Sequence, residues 1–289
     1  VEDLGYESLW VTHGGGRDAL VVLTVYAHAT RRVGLGSGII PIYPRHPVAL
    51  AQGALTLTEL SGGRLLLGIG VSHRPMMERA LGLSMGNPLA VMREYVAVLR
   101  GALTGKVQHE GPCYRVNWTS ALPRLPAPPP IILAALSPPM LELAGEIADG
   151  VILWLCPPAY IRDVAIPAVR RGREKAGKPL DGFEVIAAVP VAVADDLNAA
   201  RALFREELVR YLSLPFYQRM LERSGFQEEL AAFERDRSRH SSAGGAVPPR
   251  LAEALGGIGA SDRARAFIRQ HRESGVTLPA VRPIGFPEA

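Results

Sequence analysis

Three of the seven histidines, His13, His46 and His73, fall where short apolar runs give way to polar loops. An imidazole in such a place can donate or accept a hydrogen bond, or move a proton near neutral pH. None of the three has the H-E-x-x-H spacing or another ligand spacing, so no metal centre is expected. His13 and His73 are open to a chemical role or a plain loop role, whereas His46 stands beside a helix start and reads as a cap. Ser37 lies between Gly36 and Gly38 but lacks the G-x-S-x-G elbow spacing. Gly68-Ile69-Gly70-Val71-Ser72 resembles part of a dinucleotide fingerprint, without the third glycine that would open a helix. No Walker sequence occurs. Paired carboxylates at strand ends are missing, which argues against glycoside hydrolysis, and Asp195-Asp196 reads as a helix cap. The residue types therefore point to a bound cofactor that carries the chemistry, with the protein orienting it. Gly38, Gly70, Ala134 and Ala135 would let a flat ring approach the backbone. Ser72, His73 and Ser137 would serve an anionic tail.

The elements that must position these residues are organised around Thr56 to Ser72. A helix over Val48 to Leu60, with Pro47 at its first turn, stops at Ser61-Gly62-Gly63. The run Leu65 to Gly70 is too short for a helix and reads as a strand buried on both faces. Glu59 and Arg64 flank the turn and read as a structural pair. The same alternation repeats along the chain. Val1 to Gly5 resembles the last turn of a helix, and Ser8 to Val11 is a first strand. Asp18 caps a helix over Ala19 to Thr30, and Val33 to Ile40 is a second strand. Pro88 starts a helix through Leu103 with Met92, Tyr95, Val96 and Leu99 on one face. Gly105 to Val116 is a hairpin centred on Gly111-Pro112, and Pro123 to Pro130 is irregular. Strands follow at Ile131 to Ala134, Gly150 to Leu155, Glu184 to Val193 and Val276 to Val281. Helices are expected over Pro139 to Ala148, Pro157 to Ala176, Leu197 to Ser213 and Asp262 to Ser274, the last capped by Ser261. Leu214 to Arg239 reads as helical but far more charged, and Ser241 to Pro249 as flexible.

Strict strand–helix alternation argues for an α/β fold, a single barrel-like domain over residues 1–289. Seven strands are visible where a closed barrel needs eight, so the first strand is missing from this sequence. An open parallel sheet is the alternative. Nearly half of the residues are hydrophobic (48%), enough for a sizeable core. No run is long enough to cross a bilayer, and Cys113 and Cys156 make no disulfide framework, so a cytoplasmic protein is the default. The charge of +4 reads as solvated arginines rather than a nucleic-acid surface, because aromatic residues do not interleave with basic clusters.

Several segments together resemble the bacterial luciferase-like superfamily, and in particular its branch dependent on the deazaflavin coenzyme F-420. They are LGYESLWVTH, GGRDAL, RRVGLGSGIIPIYPRHPVALA, LTELSGGRLLLGIGVSH, PLAVMREYVAVLRGAL, ILAALSPPMLELAGEIADGV and GVTLPAVRPIG. They occur in family order and cover most of the chain, with 180–255 matching least. The combination of SGGRLLLGIGVS with LAGEIADG is the specific part.

The resemblance implies a (β/α)₈ barrel and a hydride-transferring oxidoreductase acting on a small organic substrate with coenzyme F-420. An FMN-dependent two-component monooxygenase and a non-catalytic barrel are the alternatives. It implies a non-prolyl cis peptide at Gly38-Ile39 or one bond either side, with Gly38, Ile39 and Ile40 against the coenzyme. It assigns His13 as proton donor or substrate anchor. Gly70, Val71, Ser72, His73, Ala135, Leu136 and Ser137 become coenzyme contacts, and Tyr43, Trp154 and Arg282 line the substrate. Where many relatives carry Gly-Pro-Lys-Met, this chain has Ser137-Pro138-Pro139-Met140 and so lacks a lysine for the phosphate. A homodimer through helices of the early half is implied as well, and so is a variable insertion over 214–250 with Ser241 to Pro249 as a lid.

Overall fold

The computed structural model describes residues 1–121, 125–239 and 242–285. The irregular stretch at 123–130 and the expected lid at 241–249 therefore lie partly outside the described residues. The chain divides into two compact units: Val1–Ala135 with Glu142–Ile152 and Gly172–Phe183, and Leu136–Leu141 with Leu153–Arg171 and Glu184–Ala289.

The first unit opens with a 3₁₀ turn over Glu2–Leu4 that Gly5 ends in the left-handed region (φ 74°). Strand β1 (Ser8–Val11), helix α1 (Ala19–Ala29), strand β2 (Gly34–Ser37) and the short β3 (Ile40–Pro41) follow. Helix α2 (Pro47–Ser61), strand β4 (Leu65–Gly70) and helix α3 (Pro88–Leu103) come next. The antiparallel hairpin of β5 (Lys106–Glu110) and β6 (Arg115–Thr119) runs three residues beyond its expected end, because cross-strand pairing continues to Lys106↔Thr119. Strand β7 (Ile131–Ala134) and the start of β8 (Gly150–Trp154) complete the unit's parallel ladder, in which β1, β2, β4, β7 and β8 are successive neighbours. Leu35, Leu65, Leu67, Ile69, Ile131 and Leu133 are fully buried, as parallel strands covered on both faces require. The expected face of α3, Met92, Tyr95, Val96 and Leu99, is buried as well.

Helix α2 starts on Pro47 behind the His46 cap, whose Nδ1 accepts from the Val48 N–H, and it ends on Gly62 at φ 67°. Arg64 does not turn to Glu59. Its guanidinium donates to the carbonyls of Ala27, Thr30, Val33 and Ser61 and to Thr30 Oγ1, at 2.7–3.1 Å. It thereby satisfies the exposed C-terminal carbonyls of two helices with one planar fork. Asp149 of the LAGEIADG segment has a similar structural task. It accepts the Ile131 N–H at 2.8 Å and pairs with Arg100 at 3.0 Å, tying the start of β7 to α3.

In the second unit, β9 (Glu184–Ala192) pairs in parallel with β10 (Gly257–Ile258) at its end and with β11 (Leu278–Pro283) along Ile186–Val191. The strands expected at 150–155, split between the units, and at 184–193 form to within one residue, whereas the one expected at 276–281 runs two residues later, from Leu278 to Pro283, so that Arg282 lies inside it. The two-residue β10 carries no periodic signal. Asp196 caps the helix Leu197–Leu212 through the N–H groups of Asn198 and Ala199. The region expected as one helix from 214 splits into Pro215–Arg223 and Gln227–Asp236, because Gly225 turns left-handed at φ 82°. The helix at Ser261–Glu273 is preceded by Ala260, and no side chain caps it, so Ser261 is its first residue rather than its cap. The helix expected from Pro157 runs from Pro158 to Lys175 with a π-helical turn at Ile161–Ala165. The described part of the expected lid is tied down. Ala243–Ala246 form a 3₁₀ turn, Val247 is fully buried, and the Gly244 N–H donates to Glu206.

Candidate functional site

The first feature of the site is a bulge between β2 and β3. Gly36 pairs with Leu66 and Ile40 pairs with Ile69, so three residues, Ser37, Gly38 and Ile39, oppose only two on β4. Main-chain pairing must fail there, and Ser37 repairs it. Its fully buried hydroxyl donates to the Gly68 carbonyl and accepts the Gly68 N–H, both at 2.9 Å. A Cβ on Gly68 would stand 1.8 Å from the Ser37 carbonyl oxygen, so only glycine permits this approach. The Gly38-Ile39 peptide is cis, at the centre of the three bonds expected. Gly70 is needed for a related reason: a Cβ there would meet Ile39 Cδ1 at 2.8 Å and Ala134 Cβ at 3.0 Å. The space it leaves is therefore filled by the Ile39 side chain, not kept for a ring. Gly38 itself would meet nothing closer than 3.7 Å.

The second feature is the start of α1. Asp18 is its N-cap and accepts the Leu20 and Val21 N–H groups at 2.9 and 3.3 Å. The Val22 N–H goes to the Asp18 carbonyl, and the Ala19 N–H goes to His13 Nδ1 at 3.2 Å. Val22 thus makes the first intrahelical bond, and the three free donors of the first turn, Ala19, Leu20 and Val21, are all satisfied. Arg45 forms an ion pair with the other Asp18 oxygen, and the Arg45 carbonyl accepts the Tyr95 hydroxyl at 2.9 Å. Burial, partly offset by Asp18, lowers the His13 pKa below the usual imidazole range, and Arg45 acts in the same sense. Burial and Arg45 both favour the neutral ring.

Beyond β4 the chain turns at Ser72, a non-glycine residue in the left-handed region at φ 59°, a conformation concentrated at functional sites. The His73 carbonyl then accepts the Met76 and Met77 N–H groups as a π-helical turn opens over Pro75–Ala80. Sequence periodicity read that stretch as a plain connection, since a single wide turn has no repeat to detect. The Tyr43 hydroxyl donates to the Met85 carbonyl, and burial pushes its pKa up to about 12. Gly38, Ile39, Val71, Ser72, His73, Tyr43 and His13 are half-buried, whereas Ile40, Gly70 and Ala135 are buried.

Leu136, Ser137, Trp154 and Arg282 belong to the second unit. The Leu136 carbonyl accepts the Tyr160 hydroxyl at 2.8 Å, and the Ser137 carbonyl accepts the Leu141 N–H at the start of the helix Pro138–Ile147. Arg282 stacks over the Trp154 ring at 5.3 Å and pairs with Glu207 at 2.8 Å. Tyr211 joins the cluster, edge-on to Trp154 at 5.7 Å and to Tyr217 at 5.1 Å. Trp154 Nε1–H is buried without a hydrogen-bond partner. Leu155 follows it in the left-handed region at φ 53°. Cys156 is buried, and desolvation pushes its thiol up to about 12, which makes it a packing residue rather than a nucleophile. Among the described residues no group of acidic, histidine or cysteine side chains is arranged to hold a metal ion. Reading by type missed Arg45, gave Asp18 only the task of a cap, and found no task for Ser37. The extra residue between Gly36 and Ile40 becomes visible only once strand register is known.

These features define an α/β protein of the luciferase-like barrel class. The pattern of the family described as luciferase-like monooxygenase matches residues 1–278, and the chain belongs to that family. It is 34% identical over 230 residues to a 5,10-methylenetetrahydromethanopterin reductase of Archaeoglobus fulgidus, covering 79% of this chain and 68% of that one. It is 31% identical over 292 residues to the enzyme of the same name from Methanolobus tindarius, covering 98% and 88%. The solved coenzyme F-420-dependent tetrahydromethanopterin reductase of Methanopyrus kandleri superposes with a TM-score of 0.83 at 27% identity, over 98% of this chain and 86% of that one.

Proposed function

We propose that the protein is an oxidoreductase that transfers hydride between coenzyme F-420 and a small organic substrate. The observation that carries this reading is the likeness, over almost the whole chain, to the F-420-dependent reductase of Methanopyrus kandleri. Bound at the site, the deazaflavin supplies a two-electron carrier that gives or takes hydride. The chain's own residues suit such a group. The half-buried Gly38-Ile39 segment with Val71 makes an apolar floor for a flat ring, and Ser72 with His73 adds polar groups beside it. His13 anchors the substrate or donates a proton, and the buried Ile40, Gly70 and Ala135 are assigned to the coenzyme with the floor residues. Leu136 and Ser137 are assigned to the coenzyme, and Tyr43, Trp154 and Arg282 to the substrate. The working form is a homodimer in the cytoplasm. Among the described residues no helix is long and apolar enough to cross a membrane.

Titration of the purified chain with F-420 and, in parallel, with FMN tests the reading through coenzyme absorbance and fluorescence. Saturable binding of F-420 with no FMN binding at equal concentration is expected. Preference for FMN overturns it in favour of a two-component monooxygenase. Binding of neither leaves a non-catalytic barrel.

A further inference from the structure

The start of α1 distributes the three free N–H groups of its first turn without overlap, and the distribution has a chemical consequence. The Val22 N–H makes the first intrahelical bond to the Asp18 carbonyl, the Asp18 side chain takes those of Leu20 and Val21, and only the Ala19 N–H is left. That donor points at His13 Nδ1. A backbone N–H can only donate, so Nδ1 must be the unprotonated nitrogen and Nε2 must carry the hydrogen. The positive end of the helix also disfavours a proton on Nδ1. The first turn is held in place from outside the helix by Arg45, which pairs with Asp18 and is itself fixed by the Tyr95 hydroxyl. Tyr95 is fully buried in α3, so the arrangement is anchored in the core of the unit.

We infer that Asp18, braced by Arg45, is a positioning residue that locks His13 into the tautomer with Nε2–H as its one donor, through the N–H of Ala19. His13 then serves the reaction as a neutral hydrogen-bond donor and substrate anchor rather than as an imidazolium acid. A neutral imidazole polarises an oxygen without giving up its proton. The catalytic part of this inference rests on the oxidoreductase reading, while the tautomer part does not.

The test is nuclear magnetic resonance of the full chain labelled with ¹⁵N-histidine, without coenzyme, with the His13 signals assigned by their loss in His13→Gln. In the native protein Nδ1 is expected in the unprotonated range and Nε2 in the protonated range. Asp18→Ala removes two bonds of the first turn, and the His13 signals should move to the averaged positions of exchanging tautomers. Asp18→Asn, which caps a helix as well as aspartate does, should restore the single tautomer. Ala19→Pro gives a second route, because proline suits the first helical position and deletes the one donor in question. Native-like melting of that variant with averaged His13 signals supports the inference. Unchanged His13 signals in either Asp18→Ala or Ala19→Pro overturn it, as does failure of Asp18→Asn to restore them. With F-420 and a turned-over substrate, Asp18→Ala should lower kcat about tenfold or more, with little change in coenzyme affinity. Absence of any F-420 activity in the native chain refutes the oxidoreductase reading and leaves the resonance result standing.

Discussion

The two compact units treat their buried polar groups differently. In the first, side chains complete the hydrogen bonding of main chain that secondary structure leaves open. Ser37 closes the bulge, Arg64 gathers carbonyls, Asp149 receives the β7 amide, and Asp18 with His13 finishes the α1 first turn. In the second, Trp154 Nε1, Arg205 Nε and Glu229 Oε2 are buried without partners, and these are the only such atoms among the described residues. Buried donors left open are uncommon in native proteins and mark places where a ligand or a second arrangement supplies the partner. In the first unit, therefore, the side chains named at the strand ends and helix ends are each fixed to main chain by hydrogen bonds. The Trp154–Arg282–Tyr211 cluster of the second is built of rings and a cation, which tolerate a change of neighbour.

The largest break in that contrast should come from Ser37→Ala. It orphans both the N–H and the carbonyl of Gly68 in a fully buried place, at a cost of about 2–4 kcal/mol. Denaturant midpoints should report that loss, and a change below about 0.5 kcal/mol would sink the idea that Ser37 repairs the bulge. Trp154→Phe is the converse case, because it keeps a ring and deletes a donor that has no partner. Its stability should stay within about 1 kcal/mol of the native value while substrate KM changes. A larger loss would mean that the indole N–H has a protein partner after all.

The smallest effect concerns Glu2, whose carboxylate accepts the N–H groups of Arg31, Arg32 and Val33. Those bonds, the one from Arg32 foremost, hold its pKa down to about 2. A depressed carboxylate stabilises in full above the ordinary glutamate range, and that contribution is lost as pH falls toward about 2. Acid titrations of stability should diverge between wild type and Glu2→Gln above that window and converge below it. Parallel curves throughout would remove Glu2 from the group of side chains that complete main chain.

Much of this protein was set by local sequence. Apolar runs between glycines specify the strands, and Asp18, Asp196, Pro47 and Gly62 specify helix ends, because caps and left-handed stops act over a few residues. The pairing of SGGRLLLGIGVS with LAGEIADG carried the family, and with it the place of the cis bond between Gly38 and Ile39. Tertiary structure decided what depends on register and approach. That Ser37 bridges Gly68, that Arg64 turns to carbonyls instead of Glu59, and that Ile39 fills the space over Gly70 follow from how strands and helices meet. The same holds for His13. Its residue type announced a group able to move a proton, but only the fold, by setting one amide against Nδ1, decided which nitrogen keeps the hydrogen.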